Sequence, residues 1–120
     1  MEFTYLASPY SHKSALVRQW RYEIVCRVAG ELMQRGEVIF CPIAHSHPID
    51  PAFERGHKFW MHQDLTILHH ASCLKVLRLD GWDKSRGIAE EIEFALKANK
   101  SVQFIDWVET CLHSPLQTIS

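Results

Sequence analysis

Short apolar runs alternate with helical patterns along this chain, and that alternation constrains its fold more than any other feature. Four runs rich in β-branched, aromatic and aliphatic residues are expected to form strands, at residues 3–7, 38–40, 73–79 and 101–105. Helical periodicity fills the intervals at residues 15–35, 59–69 and 84–97. Helices that connect parallel strands by right-handed crossovers cover both faces of the sheet. We therefore predict an α/β fold around a short parallel sheet of four to five strands.

The first helix has the best-defined ends, and the stretch after the second strand has the least pattern. Ser14 suits an N-cap and Gly36 suits the residue after the C-cap. Residues 42–56 lack periodicity and contain three prolines, so we expect an irregular loop of the kind that often forms a lid or binding loop. A short helix is possible at residues 106–113.

The length of 120 residues suits one domain, and we expect residues 1–120 to form it. A formal net charge of −1 does not favour a nucleic-acid polymer as partner. The opening ten residues lack the basic and apolar regions of a signal peptide, and no apolar run approaches a bilayer span. We therefore expect a cytoplasmic protein with no membrane partner. The cysteines form no C-x-x-C pair and are expected to be buried thiols in a reducing compartment, at positions Cys26, Cys41, Cys73 and Cys111.

Ligands of parallel α/β sheets bind beyond the carboxyl ends of the strands, where the strand order reverses. In this chain those ends fall at Ser8-Pro9-Tyr10, at Cys41-Pro42 and at residues 80–86. A small-molecule pocket is therefore expected at that edge of the sheet.

Glu91 occupies an unusual place on the last clear helix. At about 100° per residue, an apolar face forms from Ile88, Ile92, Ala95 and Leu96, with Glu90 and Glu93 roughly opposite. Glu91 lies about 60° from Ile88, on the shoulder of that face. A carboxylate near a core is disfavoured unless it is paired, hydrogen-bonded or open to a cavity. Glu91 therefore either faces a ligand cleft, or bonds a backbone amide or Arg86 at the edge of the core.

Three segments together resemble the nucleoside 2-deoxyribosyltransferase superfamily. Tyr5-Leu6-Ala7-Ser8-Pro9-Tyr10 is similar to its opening strand and small-Pro-aromatic loop, and Ser85-x-Gly87-x-x-x-Glu91 is similar to its nucleophile helix. Asp64, in the helix before the central strand, matches the usual Asp ahead of an apolar run. The resemblance covers most of residues 3–105, and within the superfamily the chain resembles small DUF1937-like proteins of phage and bacteria.

The resemblance implies a flavodoxin-like three-layer fold and cleavage of an N-glycosidic bond in a nucleoside or nucleoside 5′-monophosphate. Glu91 would be the nucleophile, since a carboxylate stabilises an oxocarbenium-like transition state. Asp64 would position the base or help protonate it. The resemblance further implies a homo-oligomer with sites near subunit contacts. The substrate-binding residues are expected to be Tyr5, Ser8, Pro9, Tyr10, Trp60, Trp82, Ser85 and Gly87, of which Tyr10, Trp60 and Trp82 could stack on the base.

Ser85 also bears on the substrate, because relatives that act on nucleoside monophosphates tend to carry Ser there and relatives that act on nucleosides tend to carry Asp. Phosphate could also be bound by neighbouring polar residues, namely Ser8, Ser11, Lys13 and Arg86. The alternative for each of these is a turn or a solvated surface position.

Other chemistries find little support in the sequence. His45, His47, His57 and His62 are numerous but lack the spacing of a zinc site, so we expect no metal. Cys41 has no activating base that the sequence can place beside it. The chain has no P-loop or G-x-G-x-x-G, so we expect no cofactor. Two alternatives to an enzyme remain: a non-catalytic nucleotide-binding or sensing module, and a small α/β scaffold for a protein partner.

Overall fold

The structure of the protein, a computed structural model, describes residues 1–107. Within that range four strands alternate with four α-helices. The strands are β1 (Thr4–Ala7), β2 (Ile39–Phe40), β3 (Cys73–Arg78) and β4 (Ser101–Asp106). The helices are α1 (Ala15–Gln34), α2 (Pro42–Ile49), α3 (Gly56–His70) and α4 (Arg86–Lys97), with a 3₁₀ turn at Trp82–Lys84.

The four strands form one parallel sheet in the order β2-β1-β3-β4. The chain first builds outward from β1 to β2 and then crosses to the other side of β1 to form β3. The order therefore reverses between β1 and β3, which is where a ligand crevice is expected in such a sheet. The predicted α/β fold is confirmed, and the four helices around the sheet are consistent with a flavodoxin-like three-layer arrangement.

Each face of the sheet is covered by a separate apolar core, because successive residues of a strand point to opposite faces. Leu6 and Leu77 pack with the buried side of α1 and with Ile43 of α2. Tyr5 and Val76 pack instead with α3 and α4. The alternation along β1 thus directs Tyr5 toward the helix that carries Glu91.

The predicted ends of α1 are confirmed. The Ser14 side chain accepts a hydrogen bond from the Val17 amide, and Arg35 caps the other end. Gly36 follows with φ of +97°, a left-handed conformation that glycine adopts without the strain of a side chain.

The prediction of an irregular loop at residues 42–56 is wrong for its first half, because α2 occupies Pro42–Ile49. Proline lacks an amide hydrogen, so it disrupts a helix interior but fits the first turn, where Pro42 lies. Beyond α2 the Asp50 carboxylate accepts hydrogen bonds from the Glu54 and Arg55 amides and orders the turn that leads into α3.

Predictions about β2, Leu96 and the cysteines also need correction. Val38 is exposed and β2 has only two residues, while Leu96, assigned to the apolar face of α4, is 60% exposed. Of the cysteines, only Cys41 is buried; Cys26 and Cys73 are half-buried free thiols, and Cys111 lies outside the described residues. The possible helix at residues 106–113 falls almost wholly outside them as well. Within residues 1–107, no helix combines the length and apolar character needed to cross a bilayer.

Candidate active site

A cavity of about 400 Å³ lies beyond the carboxyl ends of β1 and β3. Three segments form most of its wall: the loop after β1, one side of α3 and the first turns of α4. The residues from these segments are Ala7, Ser8, Tyr10, Ser11, His57, Trp60, Met61, Asp64, Ser85, Arg86, Gly87, Ile88 and Glu91. The cavity therefore occupies the crevice at which the strand order reverses.

Glu91 forms part of the floor of this cavity and is 5% exposed. The Tyr5 hydroxyl donates a hydrogen bond to its Oε2. Arg86, the alternative partner expected from the sequence, instead bonds Glu90 with Nε 3.1 Å from the carboxylate. Glu91 is thus a buried carboxyl group that faces a cavity and is held by a phenol rather than by a cation.

Burial changes the protonation of both cavity carboxyl groups. It raises the pKa of Glu91 to about 8, and the nearby charges of Asp64 and Glu90 add to this shift, while the Tyr5 hydrogen bond opposes it. Burial also raises the pKa of Asp64 to about 7. The pKa of Tyr5 lies well above its usual value, first because of burial and then because of Glu91. Burial therefore increases the protonated fraction of both groups near neutral pH, and more strongly for Glu91 than for Asp64.

The serines expected to bind substrate lie at the cavity but differ in their bonding. The Ser8 hydroxyl is buried and has no hydrogen-bond partner among residues 1–107. Ser85 is the N-cap of α4, and its hydroxyl accepts a hydrogen bond from the Ile88 amide at 3.2 Å. A buried hydroxyl without a partner is costly, and rotation of the Ser8 side chain toward the cavity that the residue lines would give it a polar ligand as partner.

Two of the expected aromatic residues line the cavity, and their polar atoms are bonded away from it. Trp60 donates from its indole nitrogen to Asp50 at 2.8 Å. The Tyr10 hydroxyl lies 2.6 Å from Nδ1 of His47. These bonds fix the two rings as cavity walls.

Trp82 and Pro9 are not among the lining residues, contrary to expectation. Trp82 belongs to the 3₁₀ turn and packs against Phe104, with ring centroids 5.5 Å apart. Pro9 is fully buried behind the wall. Tyr5 is also absent from the lining and acts on the cavity through Glu91. Gly87 does line the cavity, facing Met61 of α3.

Lys13, one of the residues considered for phosphate, is exposed and does not line the cavity. Ser11 and Arg86 do line it.

A sequence model of the family described as "Domain of unknown function (DUF1937)" matches residues 2–107, which is most of the chain and nearly the whole described fold. The chain belongs to this family. No curated protein matches the chain at a significant level.

This DUF1937 chain also places residues at the cavity that sequence reasoning did not select. Arg21 of α1 lines the wall and donates hydrogen bonds to two main-chain carbonyl oxygens, that of Ser11 at 3.0 Å and that of Asp80 at 3.2 Å. A Cβ at position 81 would lie 2.8 Å from Nη2 of Arg21, and Gly81 has φ of +94°. The turn after β3 therefore needs glycine for its backbone conformation, and a side chain there would displace the guanidinium. In the sequence, the glycine at position 81 was the one signal for this contact between Arg21 and the turn after β3.

The histidines and Cys41 take defined roles in this DUF1937 fold. Within residues 1–107, no group of three or more potential ligands is arranged to hold a metal ion. His47 bonds Tyr10 and Gln19, while His57 lines the cavity and lies 2.9 Å from the Glu90 carboxylate. Burial raises the pKa of Cys41 to about 12, which leaves its thiol protonated and poorly nucleophilic.

Proposed function

We propose that this protein cleaves the N-glycosidic bond of a nucleoside 5′-monophosphate or nucleoside, with Glu91 as the nucleophile. One observation supports this most: a buried carboxyl group, bonded to the Tyr5 hydroxyl, faces a ligand-sized cavity beside a second protonatable carboxyl group, Asp64. Paired carboxyl groups of this kind suit glycosyl transfer, in which one attacks the sugar and the other assists the leaving group.

In this mechanism an ionised Glu91 oxygen attacks the anomeric carbon of the sugar as the bond to the base breaks. Asp64 donates its proton to the departing base, so that the base leaves neutral. The sugar remains as a glycosyl ester of Glu91. Water completes hydrolysis, whereas a second base would complete a transfer, and the resemblance to deoxyribosyltransferases admits either acceptor.

The raised pKa values predict which protonation state reacts. Glu91 must be ionised and Asp64 protonated, although the pKa of Glu91, about 8, exceeds that of Asp64, about 7. The reactive form is therefore a minority at every pH and is most abundant between these two values. The Tyr5 hydrogen bond stabilises the ionised form of Glu91.

Arg21 and Ser8 favour the monophosphate as the substrate. The Arg21 guanidinium makes its hydrogen bonds to neutral carbonyl groups, and the Asp80 charge acts on it without bonding it, so the guanidinium can still attract an anion in the cavity. Ser8 and the amide end of α4 line the same cavity. These donors suit a phosphate group better than a neutral sugar hydroxyl.

The proposal includes the cellular location and the oligomeric state of the enzyme. A cytoplasmic location fits a nucleotide substrate and free thiols at Cys26, Cys41 and Cys73. A homo-oligomer with sites near subunit contacts follows from the superfamily resemblance.

A second candidate function is a nucleotide-binding or sensing module without turnover. The raised pKa of Glu91 favours it, because a protonated carboxyl group can hydrogen-bond a ligand without attacking it. The two functions differ in whether a bound nucleotide loses its base.

The deciding experiment is incubation of the purified protein with deoxynucleoside 5′-monophosphates and deoxynucleosides, followed by chromatography for free base. We expect base release by the wild type and its loss in Glu91→Ala. Glu93→Ala is the matched control, since Glu93 lies on the same helix, is exposed and pairs only with Lys97 in the described structure. Release that continues unchanged in Glu91→Ala excludes the nucleophile role. Calorimetric binding of a nucleotide with no release establishes the sensing module instead.

A further inference from the structure

His57 lines the cavity and forms an acid–base pair with Glu90, which is not among the lining residues. His57 begins the cavity-facing row of α3, with Met61 one turn and Asp64 two turns further along the helix. Its Nε2 lies 2.9 Å from Oε2 of Glu90, across the interface between α3 and α4. The His57 side chain is 21% exposed, so it reaches both the cavity and solvent.

The hydrogen bond to Glu90 determines which ring nitrogen of His57 carries the proton when the imidazole is neutral. His57 and Arg86 together hold the pKa of Glu90 below its usual value, so Glu90 is an ionised acceptor at neutral pH. Nε2 must then be the nitrogen that donates, which leaves Nδ1 unprotonated. Cε1, the ring atom between the two nitrogens, lies 4.0 Å from the Cβ position at Gly87. That edge of the ring is thus turned toward the glycine one helical turn before Glu91.

We propose that His57, oriented by Glu90, is the general base that deprotonates water when the glycosyl ester of Glu91 is hydrolysed. This inference rests on the proposed function and adds a residue to its second step. Glu91 is the group being released in this step and so cannot act as its base. Asp64 became a carboxylate when it gave its proton to the base, so it is the competing candidate. Turnover that is unchanged in His57→Gln would assign the step to Asp64 and overturn the inference.

The step is balanced in atoms and charge. The water oxygen bonds to the anomeric carbon as the bond from that carbon to Glu91 breaks, and Glu91 leaves as a carboxylate. The water proton passes to Nδ1 of His57, and the resulting imidazolium is stabilised by the adjacent Glu90 carboxylate. Solvent at the partly exposed ring takes this proton away, and a proton from solvent restores Asp64. The free sugar and free base are the only products.

Rapid-quench kinetics on a monophosphate that the wild type cleaves separates the two steps. In His57→Gln we expect the first equivalent of base to appear at nearly the wild-type rate and steady turnover to fall about 10²-fold, the usual range for loss of a general base. The glycosyl ester should accumulate and appear in the intact mass of the protein. Azide, a nucleophile that needs no deprotonation, should restore turnover in His57→Gln and have little effect on the wild type.

Variants of the two glutamates show whether the pair acts in chemistry or only joins two helices. Glu90→Gln should give a smaller burst-to-turnover ratio than His57→Gln, still above the wild type, and Glu93→Gln should resemble the wild type. If His57→Gln lowers burst and turnover equally, or azide fails to restore turnover, the inference is overturned although base release and Glu91 dependence stand. If the wild type releases no base from any nucleotide, the proposed function fails first and this inference fails with it.

Discussion

Glu90 and Glu91 are neighbours on one helix with the same carboxyl group, but they lie in different regions of the protein. Glu91, on the cavity floor, is 5% exposed and meets a phenol, and its pKa is raised to about 8. Glu90, at the α3–α4 interface and outside the cavity lining, meets His57 and Arg86, and its pKa is lowered. One step of about 100° around the helix axis separates a carboxyl group kept protonated from one kept ionised.

The difference shows that the two regions stabilise charge by different means. At the α3–α4 interface, the His57 hydrogen bond, Arg86 and solvent favour the carboxylate, so Glu90 can orient a histidine. On the floor, desolvation disfavours the carboxylate, which makes Glu91 reactive once it is ionised. The variants below test this contrast, beginning with the largest expected effect.

Glu91→Gln should abolish base release, with a loss of about 10³-fold or more, because the amide is not a nucleophile at the anomeric carbon. Initial rates with a monophosphate measure the effect. Residual activity within about tenfold of the wild type would place the reactive group elsewhere in the cavity.

The two buried carboxyl groups of the cavity, Glu91 and Asp64, should also make the protein less stable at high pH. Burial raises the pKa values of Glu91 and Asp64 above the ordinary 4.5 and 3.8, so between those values and about 8 the folded protein holds more protons than the unfolded chain. The free energy of unfolding then falls as pH rises through this window, by an amount on the order of a few kcal/mol. Urea titrations from pH 4 to 9 measure it.

Glu91→Gln should flatten much of that decline, whereas Glu90→Gln should not. The lowered pKa of Glu90 gives the opposite sign, a small stabilisation that is lost as pH falls through its folded-state value. Equal pH profiles for wild type and Glu91→Gln would show that the Glu91 carboxyl is not desolvated.

Arg21→Gln should separate nucleotides from nucleosides. Loss of a charge-assisted hydrogen bond to phosphate is expected to raise KM for the monophosphate about 10- to 100-fold and to change KM for the nucleoside little. Lys13→Gln serves as a control, since Lys13 is exposed and away from the cavity wall. An equal change for both substrates would indicate that Arg21 only joins the loops after β1 and β3.

Tyr5→Phe should give the smallest change, a decrease in kcat of about tenfold at neutral pH. Without the hydroxyl, the pKa of Glu91 rises further, so the plateau of the pH–rate profile falls and its alkaline limb moves to higher pH, which brings activity closer to the wild type above pH 8. A uniform decrease at all pH values would mean that the hydroxyl does not act on the ionisation of Glu91.

The periodicity of the chain was enough to predict the parallel sheet and the crevice after β1 and β3, since strand and helix patterns are local properties. It failed at α2, because Pro42 in a first turn and Pro48 near the end look the same in sequence as loop prolines. It also misplaced Leu96, which lies at the exposed edge of its helix. The match to the DUF1937 family agrees with the fold but does not assign an activity.

The candidate site was predicted in part. The shoulder position of Glu91 in the helical pattern already indicated an unusual carboxyl group. Trp82 was misjudged because the 3₁₀ turn directs it toward Phe104. Arg21 and His57 were missed because no local pattern distinguishes a cavity-facing cation or imidazole from a solvated one.

The sequence by itself determined the order of strands and helices, except for α2, and the face of α4 on which Glu91 lies, because side-chain periodicity follows from backbone geometry alone. Only the tertiary structure decided which partner each charged group meets. Tyr5 and Glu91 are 86 positions apart and His57 and Glu90 are 33 apart. Burial within the packed elements raises the pKa of Glu91 against the Tyr5 hydrogen bond, and the approach of His57 lowers the pKa of Glu90.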